Sequence, residues 1–184
     1  VKDTLQRLLA ILFPQRNLCH ACGALLAGGE GLLCEVCVRE LRQCAFTPAR
    51  AGTVLDGGVE AYSAFAYTGC VSALVKALKF GADYTAALPL AEGMAGLFTQ
   101  TPPLLHADVC VPVPVHYRRF RRRGYNQAAV LSRAFSELTG IPVSENALVR
   151  VHHRHSQIGQ GRAARFANTA CKMRFCNIFG RGKT

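Results

Sequence analysis

Two C-x2-C pairs, Cys19/Cys22 and Cys34/Cys37, stand eleven residues apart near the start of the chain. A C-x2-C turn aims both of its sulfurs at one point. A hairpin between two such turns brings four thiolates into a tetrahedron, which is the coordination a structural Zn²⁺ takes. Gly23 follows the first pair, and Gly28, Gly29 and Gly31 supply turn-formers before the second. The spacing predicts a zinc ribbon facing its two pairs across one metal. Two other readings compete: a pair of disulfides in a secreted domain, and a redox C-x-x-C. Nothing else in the chain looks secreted, and the redox motif normally opens a helix after a strand.

The chain has nine cysteines, and Cys44, Cys70, Cys110, Cys171 and Cys176 have no partner at metal-ligand spacing. Thiols left over in such number suit a reducing, cytoplasmic location. Cys70 and Cys110 lie in apolar stretches and read as core residues. No apolar run reaches bilayer length. Leu5, Leu8, Leu9 and Leu12 form a helical stripe, but Gln6 and Arg7 interrupt it and no cleavage site follows. The segment is expected to be a packing helix ending before Pro14, not a signal peptide.

The 184 residues, half of them apolar, suffice for one domain and a small appendage. The expected division is a helix and zinc ribbon over 1–46, a larger domain over 58–168, and a tail over 169–184. The stretch 47–58 reads as a linker. Val59 to Tyr67 reads as a strand. Val71, Leu74, Val75 and Leu78 recur at helical spacing, and 86–98 forms a second helix whose Gly93 and Gly96 allow close packing. The run D-V-C-V-P-V-P-V over 108–115 reads as a buried strand stopped by prolines. A basic loop over 116–124 follows, then a helix capped by Asn126, then a strand over 141–149. That order predicts an α/β domain with a mostly parallel sheet, which binds ligands beyond the carboxyl ends of its strands.

Charge is divided sharply. Residues 1–115 carry eight Lys/Arg and nine Asp/Glu, net −1, whereas 116–184 carry fourteen and two, net +12. The partner is expected to be anionic and met by the second half. Five arginines, Arg118, Arg119, Arg121, Arg122 and Arg123, crowd six positions. They form either a solvated basic loop or an anion site, since guanidinium binds phosphate bidentately.

The ordered set of motifs resembles the ComF family of phosphoribosyltransferase-like competence proteins. Val111-Pro112-Val113-Pro114-Val115-His116 matches its V-P-V-P-x-H strand, and Arg118 to Gln127 its R-x-R-G-F/Y-N-Q segment. Lys76 to Gly81 matches its L-K-F/Y helix end, and the four cysteines its zinc module. Leu148, Arg150, Arg154, Gln157, Arg162, Arg165 and Asn168 follow its later pattern. The resemblance implies a zinc ribbon before a type I phosphoribosyltransferase-like fold, and a role in DNA uptake beside a membrane import apparatus that the chain itself does not span. It also implies binding of phosphoribosyl pyrophosphate (PRPP), with Mg²⁺ only if PRPP is bound. Arg118, Arg121, Arg122, Arg123, Gly124, Asn126, Gln127, Arg154, Gln157, Arg162 and Arg165 are the implied anion-binding residues. Fold alone does not settle a reaction.

After Asn168 the chain departs from the family, which continues with an apolar strand and an acidic, Thr-Thr-Gly-type loop for ribose 5-phosphate. Here no Asp or Glu follows Glu145. The expectation is a frameshift or truncation, a sheet incomplete at its C-terminus, and weak or no catalysis in this polypeptide. The terminal G-R-G-K-T is no P-loop, since Asn177 stands where its first glycine is needed. His152, His153 and His155 lack acidic or thiolate company for a metal. A non-catalytic alternative is a zinc-stabilised module for single-stranded DNA or an import partner, with Tyr117, Phe120 and Tyr125 as stacking candidates.

Overall fold

The computed structural model describes residues 17–26, 31–55, 57–150 and 173–176. Its helices are α1 (Glu35–Cys44), α2 (Pro48–Ala51), α3 (Gly69–Phe80), α4 (Ala87–Thr99), α5 (Tyr117–Arg123) and α6 (Gln127–Thr139), with a 3₁₀ turn at Pro102–His106. Strands β1 (Gly52–Val54) and β2 (Glu60–Tyr62) pair antiparallel, as do β3 (Leu148–Arg150) and β4 (Met173–Phe175).

The helices follow their sequence periods. In α3, Cys70, Val71, Leu74 and Leu78 form one buried stripe. Leu74 is fully buried, a transfer that stabilises by about 1.5–3 kcal/mol. In α4, Ala87, Leu90, Ala91, Leu97 and Phe98 turn inward, and Gly93 approaches Phe65 so closely that a Cβ there would lie 1.9 Å from the ring. Gly96 has open space around it and makes no such close approach. Helix α6 lies against α4, where Phe98 and Phe135 meet edge to face at 5.5 Å.

Among the described residues two apolar clusters result. The first joins Cys19, Leu26 and Cys37 of the cysteine segment to Cys70, Val71, Leu74, Leu78, Ala86, Ala87, Leu90 and Tyr125. The second gathers Ala91, Phe98 and Phe135. The cysteine segment therefore shares its core with α3 and α4.

The mostly parallel sheet expected from the strand order is not formed among the described residues. Both ladders are antiparallel and three residues long. One parallel bridge, Cys110 to Val143, spans α6: Cys110 N–H donates to Pro142 C=O (2.8 Å) and Ser144 N–H to Cys110 C=O (3.0 Å). The pairing stops there because Pro112 and Pro114 remove alternate donors on one edge of the 108–115 segment. Nor is that segment uniformly buried, since Val113 is exposed. The expected linker is partly regular, containing α2 and β1. Of the tail, residues 173–175 fold back as β4 on β3, with Cys176 N–H donating to Ala147 C=O.

Candidate functional site

The first cysteine pair sits on a tight hairpin. Leu18 bridges Leu25, Cys19 N–H donates to Ala24 C=O, and Gly23 N–H donates back to Cys19 C=O. The second pair is built differently from the expected facing hairpin. Cys34 is the N-cap of α1 and Cys37 lies in its first turn. Two residues of helix separate the sulfurs, and the positive end of the helix dipole faces them. His20 N–H donating to Leu32 C=O (3.0 Å) ties the two halves together.

All four sulfurs lie within 4.8 Å of one another. A Zn–S bond of about 2.3 Å gives a tetrahedron whose edge is about 3.8 Å; Cys22 Sγ and Cys34 Sγ stand 3.7 Å apart. A disulfide needs about 2.05 Å, and the described cysteines form none. The donor set fits a soft, tetrahedral metal ion, so the four cysteines can hold an ion such as zinc. A helix-opening C-x-x-C is the redox arrangement, but the second pair's two further sulfurs make it half of a four-thiol cluster.

Ionisation within the cluster is uneven. Burial opposes charge on Cys19, but backbone N–H groups of Cys22, Cys34 and Ala21 outweigh it and lower its pKa to about 6. Burial and the neighbouring cysteines push Cys37 far above the usual thiol range. For Cys22 the Ala24 backbone N–H favours the thiolate, yet Cys19 and Cys34 beside it prevail and raise its pKa. Four like charges repel without a cation; a bound metal draws off the remaining protons. Cys70, buried in the shared core, has a pKa raised to about 11 by burial and by Glu40.

A polar strut beside the cluster was not visible in the sequence. His20 Nδ1 meets Asp83 Oδ2 at 2.5 Å, Thr85 Oγ1 donates to Asp83 Oδ1 at 2.6 Å, and Ala86 N–H reaches the same oxygen at 3.3 Å. Burial works against the Asp83 carboxylate, but Thr85 and His20 prevail and hold its pKa below the ordinary value. The group resembles a Ser-His-Asp array only in composition. Thr85 approaches the ring nitrogens of His20 at 3.2 and 3.4 Å, and its proton is committed to Asp83, so no hydroxyl is aimed outward as a nucleophile. Sixty-three residues separate His20 from Asp83, so no local spacing signals the pair.

The arginine run is helical, not the expected loop. His116 Nδ1 accepts from Arg118 N–H at 3.2 Å to cap α5, and Gly124, at φ +82°, ends the helix in the left-handed region. Arg118, Arg121 and Arg122 are exposed. Arg121 donates to Tyr117 Oη at 3.1 Å and lies over its ring at 5.8 Å. Partial burial and then Arg118, Arg150 and Arg119 depress the His116 pKa, which places β3's Arg150 in the same positive field.

Arg123 turns the other way. Its Nη1 donates to Gln127 Oε1 (3.2 Å), and its guanidinium lies 5.2 Å from the centre of the Phe80 ring. Asn126 is structural: Oδ1 caps α6 by accepting from Ala128 N–H, and Nδ2 donates to Val113 C=O. Tyr125 is buried, donates to Leu78 C=O and meets Tyr84 edge-on at 4.6 Å, so it belongs to the core and is not a stacking surface. Tyr117 and Phe120 are exposed, as are Phe80 and Tyr84. Arg154, Gln157, Arg162 and Arg165, with the His152, His153 and His155 group, lie outside the described residues. No described helix is long and apolar enough to cross a membrane.

No family model matches the chain, and no solved structure matches it. Over 52 residues it is 42% identical to Competence protein F of Haemophilus influenzae, a match covering 28% of this chain and less than a quarter, 23%, of that protein.

Proposed function

We propose that this chain is a competence-related protein that assists DNA uptake, with a zinc-stabilised cysteine module and an anion-binding face on α5. The observation that carries the reading is the placement of Arg118, Arg121 and Arg122 on one short exposed helix in the same positive field as Arg150, with no ion pair to any of the three among the described residues. The partial likeness to Competence protein F supports the competence role. Zinc is the proposed ion because four thiolates at tetrahedral spacing suit it and close a structural site. On the resemblance alone, Arg154, Gln157, Arg162 and Arg165 join the anion face.

Single-stranded DNA should bind the metal-loaded chain with an affinity that falls steeply as salt rises. Replacing Arg118, Arg121 and Arg122 together by Gln should flatten that dependence by roughly one unit of log–log slope for each phosphate the helix no longer neutralises. An unchanged slope in the triple variant would move the anion face elsewhere.

The parallel Cys110–Val143 bridge across α6 favours a second reading, in which a phosphoribosyltransferase-like domain takes PRPP. The basic helix would then follow the carboxyl end of a reduced strand, where α/β folds hold phosphate. Calorimetry with PRPP and Mg²⁺ separates the two. Micromolar, Mg²⁺-dependent binding supports the PRPP reading; binding of DNA alone supports the first.

A further inference from the structure

Two exposed aromatic rings, Phe80 and Tyr84, lie four positions apart at and just after the end of α3, and the first of them meets Arg123 of α5. Phe80, the last residue of α3, is 73% exposed, and Tyr84 in the following loop is 51% exposed. Arg123 lies over Phe80 at 5.2 Å, and the ring stays largely exposed beside it. Tyr84 is braced by Tyr125, which is anchored to Leu78 of α3. The two exposed rings thus sit on supported backbone beside the basic helix.

Arg123 supplies the cation of the patch. Its Nη1 donates to Gln127 Oε1 at 3.2 Å and its guanidinium lies over the Phe80 ring, which fixes a positive charge beside that exposed aromatic. Guanidinium pairs with phosphate oxygens through its remaining outer N–H groups.

We propose that Phe80 and Tyr84 form a base-stacking platform for single-stranded DNA, with Arg123 holding the phosphate beside it. This rests on the DNA-binding reading of the arginine helix and adds where the bases go. Every base offers a π-face, so stacking grips a strand without reading its sequence, while the arginines follow its backbone. Duplex DNA buries those faces and is the poorer ligand. The charge of the face favours a nucleic acid over an apolar protein segment as the occupant.

Fluorescence anisotropy on the metal-loaded full chain tests this with two labelled strands of equal length, oligo-dT and its abasic counterpart. The two carry the same phosphates and differ only in bases. The wild-type chain should prefer oligo-dT by roughly five- to a hundredfold, the range that stacking of one base supplies. The double variant Phe80→Leu, Tyr84→Leu should bring that ratio close to one. Both side chains are largely exposed, so a thermal melt should confirm that the variant remains folded. Equal wild-type affinity for the two strands overturns the platform and leaves the arginine face standing, as does a preference that survives the double variant. Failure to bind either strand at low salt overturns the DNA reading and the platform together.

Discussion

Gly93 lacks a side chain because Phe65 occupies the space one would fill. A Cβ at 93 would stand 1.9 Å from Phe65 Cζ and 2.7 Å from Cε2. The ring must shift, and Phe65 packs on the first core. Gly93→Ala is therefore expected to destabilise the fold by about 1–3 kcal/mol, the usual cost of overpacking. Urea unfolding measures it; a neutral result would mean that Phe65 has room to move. Single residues differed in how far sequence revealed them. The four cysteines declared themselves because metal geometry is encoded in short spacing. Tyr125 read as core, with base stacking as the lesser alternative, and its burial and its bond to Leu78 place it in the core. The exposure of Phe80 could not be read at all, since it terminates an otherwise apolar helical stripe.

At the scale of elements, α3, α4 and α6 were legible because a 3.6-residue period over three turns has few rivals. The sheet was not, because valine-rich segments show strand propensity and give no partner. Prolines then limit the 108–115 segment, among the described residues, to the Cys110–Val143 bridge. The arginine run read as a loop because its charges mask a helix that His116 and Gly124 delimit. Asn126 was legible as a cap, and Asn126→Ala should cost about 1 kcal/mol in urea unfolding. The 140–147 segment is held to α6 by a bidentate pair, Arg133 Nε and Nη2 to the Glu145 carboxylate at 2.6 and 2.9 Å. Hydrogen bonding from Arg133, against slight burial, holds the Glu145 pKa below its ordinary value. A depressed carboxylate stabilises the fold above its unfolded pKa, and the contribution is lost as pH falls through the folded one. Both side chains are well exposed, so Glu145→Gln should cost under about 1 kcal/mol at neutral pH. The difference should vanish in acid; one that persists there would assign the loss to packing and not to charge.

Across the whole molecule, the cysteine cluster is a wall of the main core. Cys19 and Cys37 pack in the same cluster as Cys70, Leu74, Leu78 and Leu90, and the His20–Asp83–Thr85 strut joins the hairpin to the start of α4. The cysteine spacing is local and legible in sequence, whereas the docking of the cluster depends on partners about thirty to seventy positions away, which no local pattern signals. Metal release should therefore be felt beyond the ligands. Four thiols at tetrahedral spacing lose their metal in acid or to a chelator, because the bound form requires deprotonated sulfur. Without the ion, the repelling or reprotonated sulfurs no longer hold Cys19 and Cys37 against α3. Hydrogen exchange on the intact chain, before and after chelation, should show protection falling in 17–45 and also across 70–90. The Phe98–Phe135 contact belongs to the second cluster, which contains no ligand, so 94–99 and 130–137 should lose far less. Cys37→Ser should reproduce the pattern without chelator, together with a metal content well below one ion per chain. Loss confined to 17–45 would show instead that the body folds independently of its metal site. The strut offers a finer check: Asp83→Asn keeps the shape but removes the charge that His20 meets. If the strut helps couple the module to α4, this variant should lower protection at 83–90 while leaving the metal content unchanged.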